Sequence, residues 1–244
     1  MLILGCSIGS AWADAPAFDR PGIAFSTGTL PARSVAWEQG LPDFEHDSDR
    51  GVSSTLYTLD SRLRVGISDS IEVQLGASLF NEMQIHAAGN TDRADGRSDL
   101  SFAVKVALPS SSEGFSWATL AAVTDSSGAN NFTNGAATYD LGVALGFAIS
   151  DNVSTELYVN AERSDGDNSV DVSPNLNIAI SQTVSAFVEA GATYSGHGLD
   201  QAVAGGGFTM MVTPAVQLDL SADFGLTSRS PDVLAGFGVS IFFQ

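Results

Sequence analysis

Along most of the chain apolar residues fall on every second position, and the residues between them are small, polar or charged. The last segment is the plainest case: Ala235, Phe237, Val239, Ile241 and Phe243 alternate with Gly236, Gly238, Ser240 and Phe242. A period of two puts the first set on one face of a strand and the second on the other. The same pattern sets Tyr57, Leu59, Leu63, Val65 and Ile67 against Asp60, Arg62 and Arg64. After a turn at Ser68-Asp69-Ser70 it sets Ile71, Val73, Leu75, Ala77 and Leu79 against Glu72, Gln74, Gly76 and Ser78, so the apolar parity survives the hairpin. Further strands are predicted near 100–108, 115–124, 137–149, 153–163, 170–180, 184–195, 202–212 and 216–226; with 34–42 and 233–243 the total is about twelve.

The connections between these strands fall into two alternating classes. Residues 68–70, 109–114, 150–152, 181–183 and 213–215 are short, whereas acidic or Gly-rich stretches near 43–51, 87–98, 125–135, 164–169, 195–201 and 227–232 are longer. Short periplasmic turns, longer outer loops and an even strand number are the marks of a transmembrane barrel. A soluble β-sandwich would carry Greek-key crossovers instead. The expected fold is therefore all-β, a closed antiparallel up-and-down barrel spanning residues 34–244 in the bacterial outer membrane.

Composition agrees with that reading. Charged residues make up 16% of the chain and the mean hydropathy is +0.13, more apolar than most soluble domains, yet there is no run of 18 apolar residues from which to build a membrane helix. Twenty-five glycines and a preference for Phe suit many short strands joined by tight turns. The net charge of -18 excludes nucleic acid as a partner.

Desolvation decides which face meets lipid. An Arg or Lys on the lipid side at mid-membrane costs about 2 to 4 kcal/mol. The faces carrying Asp60, Arg62, Arg64, Glu72, Lys105, Asp140, Glu156, Glu189, Asp219 and Asp223 are thus expected to line the lumen. A ring of this size is wider than side chains alone can fill, so it can leave a narrow polar passage. Trp37, Tyr57, Phe115, Trp117, Tyr139, Tyr194 and Phe243 fall near strand ends on the outward parity, where aromatic girdles anchor a barrel. Arg62, Arg64 and Lys105 come from one side of the ring and Glu189, Asp219 and Asp223 from the other. Two readings stay open: a transverse field acting on solutes, or pairing between neighbours such as Arg64 and Glu72 on adjacent strands.

The N-terminal segment breaks the pattern. Residues 1–13 have a short apolar core ending in Ala11-Trp12-Ala13, the form of a signal peptide with its cleavage site. The lone Cys6 lies inside it, so the mature chain is expected to carry no thiol; an acylated Cys6 in a lipoprotein box is the rival. Residues 14–33 contain Pro16, Pro21, Gly22, Gly28 and Pro31 and have no period, so they are expected to form an irregular arm. Because Phe18, Ile23, Phe25 and Leu30 gain by burial, the arm is expected to fold into the periplasmic mouth and narrow the lumen.

Several stretches carry a family resemblance. Asp19-Arg-Pro-Gly-Ile-Ala-Phe-Ser-Thr-Gly-Thr-Leu-Pro31, Trp37-Glu-Gln-Gly-Leu-Pro42, Ser53-Ser-Thr-Leu-Tyr57, Ala107-Leu-Pro109, Gly114-Phe-Ser-Trp117, Tyr139-Asp-Leu-Gly142 and Gln217-Leu-Asp-Leu-Ser221 resemble the transporter-like outer-membrane barrels of the MetA-pathway of phenol degradation family. The final strand, with Phe243 before Gln244, is similar to the closing strand that barrel assembly machinery reads. The resemblance implies passive uptake of small, hydrophobic or aromatic molecules. It implies lipid and lipopolysaccharide as surroundings, and it brings no catalytic signature or cofactor. A surface barrel with a plugged lumen is the alternative from another class.

Enzyme and metal signals are thin. His46, His86 and His197 lie at expected loops or outer strand ends, and none stands in an HxS pattern of barrel lipases. Asp43, Glu45, Asp47 and Asp49 before Gly51, and Asp165-Gly-Asp-Asn168, resemble fragments of calcium loops, but Thr58 and Leu176 stand where the bidentate Glu belongs. No catalytic or metal site is therefore expected.

Overall fold

The computed structural model describes residues 16–196 and 198–244. The signal peptide expected at 1–13, with Cys6, lies outside the described residues, as does His197. Thirteen strands follow one another: β1 (Val35–Asp49), β2 (Val52–Ser68), β3 (Ile71–Ala87), β4 (Asn90–Gly96), β5 (Ser101–Leu108), β6 (Phe115–Thr124), β7 (Thr138–Ser150), β8 (Val153–Ser164), β9 (Asp167–Ala179), β10 (Val184–Ser195), β11 (Gly198–Thr213), β12 (Val216–Gly225) and β13 (Val233–Phe243). Apart from β4 and β5, each pairs antiparallel with its neighbour in sequence, and β1 pairs with β13, so the sheet closes on itself. β4 and β5 lie end to end along the same edge of β3, on Asn81–Ala87 and Ile71–Gly76 respectively, so the wall has twelve staves.

Alternation decides what each face meets. Leu63, Leu75, Phe102 and Val123 are cross-strand partners on β2, β3, β5 and β6, all exposed on the outside; Phe208, Leu220 and Phe237 form a second such row on β11 to β13. A continuous apolar exterior of this extent is untenable in water and suits lipid. Trp37, Tyr57, Tyr139, Tyr194 and Phe243 are exposed on the outside, with Phe115 and Trp117 partly covered.

Prolines sit where a missing N–H does no harm. Pro42 lies in the bulge between Gly40 and Asp43 of β1. Pro174 lies where the β9–β10 ladder skips from Glu189↔Asn175 to Ala192↔Val172.

The expected division into short inner turns and long outer loops needs correction at the outer end. Residues 43–49, 90–96, 167–169 and 198–201 belong to strands that extend outward, not to loops. The outer turns at Arg50-Gly51, Ala88-Gly89 and Asp165-Gly166 have two residues each, all at positive φ from 46° to 90°. That is the twisted hairpin geometry for which a second-position Gly is suited. Only residues 125–137 and 226–232 remain as longer outer connections among the described residues.

Candidate functional site

The interior holds the site, and what occupies it is the arm. Residues 16–33 form no strand; they enter beside the ends of β11 and β13, cross the lumen, and return to join β1. Apolar contacts fix the two ends of this path. Phe18 and Leu30 pack on Ala36 with Met211 and Phe242 alongside, and Phe25 packs on Ala118 and Ala144 against the edge of Tyr158. Ile23, expected to be buried, is instead 40% exposed: it lies against Gly191 of β10 on one side and borders the smaller cavity on the other.

An irregular segment cannot satisfy its amides from a ladder, so the wall must supply acceptors. Here carboxylates do so. Glu38 accepts the N–H groups of Asp19 and Arg20, each at 3.0 Å; Glu72 accepts Leu30 N–H at 2.7 Å; and Glu189, across the lumen, accepts Ile23 N–H at 2.8 Å. Glu38 and Glu72 also take part in a buried ion cluster. Arg64 donates to both oxygens of Glu72 at 2.9 Å, to Glu38 at 2.7 Å and to the Ala17 carbonyl at 2.8 Å. Lys105 donates to Asp19 at 2.8 Å and to the Ser26 hydroxyl at 3.1 Å, with its ammonium 5.4 Å from the Phe25 ring centre. Gln74 closes the cluster by donating to Asp19 and Glu72. The side chains of Asp19, Glu38, Arg64, Glu72 and Lys105 are fully buried.

A second, more open pairing joins the arm to the seam of the barrel. The Arg20 guanidinium donates twice to Asp43 at 2.9 Å and once to Asp219 at 3.2 Å. It lies over the partners Gly40 and Gly238, where a Cβ on Gly238 would stand 2.4 Å from Arg20 Nε. The wall can admit the guanidinium there only because neither residue has a side chain.

Two cavities flank the arm. The larger, about 620 Å³, is a vestibule on the outer side of Arg20 to Gly22; its lining includes Glu45, Asp60, Arg62, Asp99 and Asp223. The smaller, about 230 Å³, lies between Gly22–Phe25 and the wall from β2 round to β8, with Arg62, Asp140 and Tyr158 among its lining. Arg62 borders both and makes no ion pair among the described residues. Asp60 accepts from the Ser78 hydroxyl, Asp140 accepts from Asn160 at 3.0 Å, and Glu156 accepts from Asn175 at 3.3 Å.

Nine of the ten charges read from the sequence thus sort into three groups, and Glu156, held by Asn175, stands apart. Arg64, Glu72 and Lys105 are sealed in the cluster, Glu189 and Asp219 hold the arm, and Asp60, Arg62, Asp140 and Asp223 face the cavities. Asp19, Arg20, Glu38 and Asp43 complete the first two groups and are not among the charges the sequence assigns to the lumen; Asp43 stood out there only as part of a calcium-loop fragment. Glu38 had a signal, since it shares the inward parity of Ala36 opposite Trp37. Asp19 and Arg20 lie in a segment with no period and had none.

The outer mouth has its own clasp. Asp99, in the break between β4 and β5, accepts the N–H groups of Gly128 at 2.7 Å and Asn134 at 2.8 Å, which folds the 125–137 loop onto the gap. Burial opposes ionisation of Asp99, and those two N–H groups outweigh it and lower its pKa below the ordinary carboxylate value. The Ser127 hydroxyl and the Leu100 N–H do the same for Asp125.

Comparison with known proteins agrees with this architecture. The family model described as MetA-pathway of phenol degradation matches residues 18–243. An outer membrane channel from Pseudomonas putida F1 superposes with a TM-score of 0.76 at 12% identity, over 91% of this chain and 99% of that one. The KdgM porin gives 0.54 at 8% identity and the NanC porin 0.53 at 9%, each over 86% of this chain and 99% of its own. Identities this low establish a shared fold. No curated protein matches the chain in sequence.

Proposed function

The chain belongs to the MetA-pathway of phenol degradation family, and from that membership and the geometry of its lumen we propose that it is a passive outer-membrane channel for small molecules. The observation that carries the reading is a polar vestibule of about 620 Å³ inside a closed barrel, bounded on its inner side by a crossing segment and not by a filled core. A packed eight-stranded barrel has no such space. The family's description points to small hydrophobic or aromatic solutes, and the solved neighbours named as a channel and as porins support passage of solute over catalysis. Asp60, Arg62, Asp140 and Asp223 are the groups we propose a solute meets first, while Arg64, Glu72, Lys105, Glu189, Asp219 and Glu156 shape the path. The outer surface is proposed to sit among lipopolysaccharide, with divalent cations shared between its acidic strand tips and the lipid phosphates.

The sealed ion cluster favours a second reading, a surface barrel with its lumen plugged, since five fully buried charged side chains bind the arm to the wall. Planar-bilayer recording of the refolded protein separates the two. Discrete conductance steps support a channel, and a folded barrel that never conducts supports the plug.

A further inference from the structure

One level of the vestibule carries carboxyl groups with no basic partner. Cross-strand partners on β10, β11, β12, β13, β1 and β2 place Glu189, Gly205, Asp223, Leu234, Glu45 and Leu56 in a single inward row. Glu189 is engaged by the arm. Asp223 is not engaged: it is 9% exposed, lines the vestibule, and its Oδ1 has no hydrogen-bond partner. Gly205 makes room for it, since a Cβ there would stand 2.5 Å from that oxygen. Glu45 lies two strands away, about 9 to 10 Å by the usual strand spacing, with the Leu234 side chain between them.

We propose that this row is a binding site for organic cations, in which a primary ammonium pairs with Asp223, Glu45 draws it electrostatically, and an apolar body rests on Leu234 and Leu56. The physical reason is the unpaired carboxylate: Oδ1 is shut off from solvent beside Gly205, and the other oxygen is the one that faces the vestibule. A carboxylate withdrawn from water without a partner is costly, and a solute that brings both a positive charge and N–H donors removes that cost. Arg20, the nearest cation of the arm, is already committed to Asp43 and Asp219. A bare metal ion fits less well, because among the described residues no three carboxylate or imidazole groups converge as a coordination shell. The vestibule volume of about 620 Å³ lies within the range of small-ligand pockets. The site rests on the uptake reading in one respect only: in a channel it is the subsite where a solute enters.

Binding of benzylammonium, benzyl alcohol and benzoate to the nanodisc-embedded protein by calorimetry tests the site whether or not the barrel conducts. Benzylammonium should bind at least about tenfold more tightly than benzyl alcohol, as a charge-assisted hydrogen bond implies, and benzoate most weakly. D223N should abolish that preference, with its folding checked by the heat-modifiable gel band, and E45Q should reduce it. Equal binding of the three probes to the unmodified protein overturns the proposal even if D223N does not fold. An unchanged preference in folded D223N overturns it too. Bilayer recording on the same preparation reports the channel reading separately, so a silent barrel that still prefers benzylammonium sinks that reading and leaves the site standing.

Discussion

The carboxylate of Glu189 on β10 accepts the backbone N–H of Ile23 at 2.8 Å, across the barrel from β3, whose Glu72 accepts the arm's Leu30 N–H. Glu189 is the anchor that makes the arm a crossbar, because between Arg20 and Phe25 no other wall side chain accepts an arm amide among the described residues. E189A removes that acceptor. The expected cost is about 1.5 to 3 kcal/mol, the range for a hydrogen bond to a charged group. Larger and noisier conductance steps should follow, with the folded gel band retained. Unchanged steps would mean that Phe25 and Arg20 alone position the crossbar.

Arg62 and Arg64 share a strand face but not an environment. Arg64 is fully buried between Glu38 and Glu72, so R64A leaves Glu38 without a cation and Glu72 with only Lys105 at 3.8 Å, and should cost about 3 to 5 kcal/mol. The measurable sign is a folded band lost at a distinctly lower temperature. Arg62 borders both cavities unpaired, so R62S should leave that temperature nearly unchanged and shift the reversal potential toward cation selectivity. If R62S melts early while R64A does not, the assignment of the two roles is reversed.

The outer clasp should respond to acid in a definite direction. Asp99 has a folded pKa below its ordinary value of 3.8. Its contribution to loop order is therefore fully present above that value and is lost as pH falls through the lower folded value. Exchange protection of the Gly128 and Asn134 amides, corrected for intrinsic rates, should hold from neutral down to about pH 4 and fall only in stronger acid. Loss of protection already near neutral pH, or its persistence in D99A, would show that the loop is held by other contacts.

Much of the barrel was legible because a period of two is imposed by the membrane on one side and the lumen on the other. The Leu63, Leu75, Phe102 row and the inward Arg62 and Arg64 follow from that alternation alone. The outer ends were less legible, because above the lipid both faces meet water and polar residues no longer alternate. Asp165-Gly166 was nonetheless a readable hairpin turn, and the strands around it run to within one residue of it. The arm's general course followed from Phe18, Phe25 and Leu30. Its attachments did not, because they pair backbone amides with carboxylates distant in sequence, as in Ile23 with Glu189, and no local pattern encodes such a contact.

The arm is also where the central claim is tested most directly. Removing residues 16–32 takes away Asp19 and leaves Arg64 and Lys105 against Glu38 and Glu72, two charges of each sign, so the buried cluster remains balanced, while loss of Arg20 leaves Asp43 and Asp219 facing the widened lumen without their cation. The same deletion joins the two cavities that the arm now separates. Single-channel conductance of the full chain and of the deletion variant, side by side in planar bilayers, is the measurement. A small conductance in the full chain and a several-fold larger one in the variant is the expected result; a folded variant that conducts no better than the full chain, or not at all, contradicts a solute path narrowed by this segment.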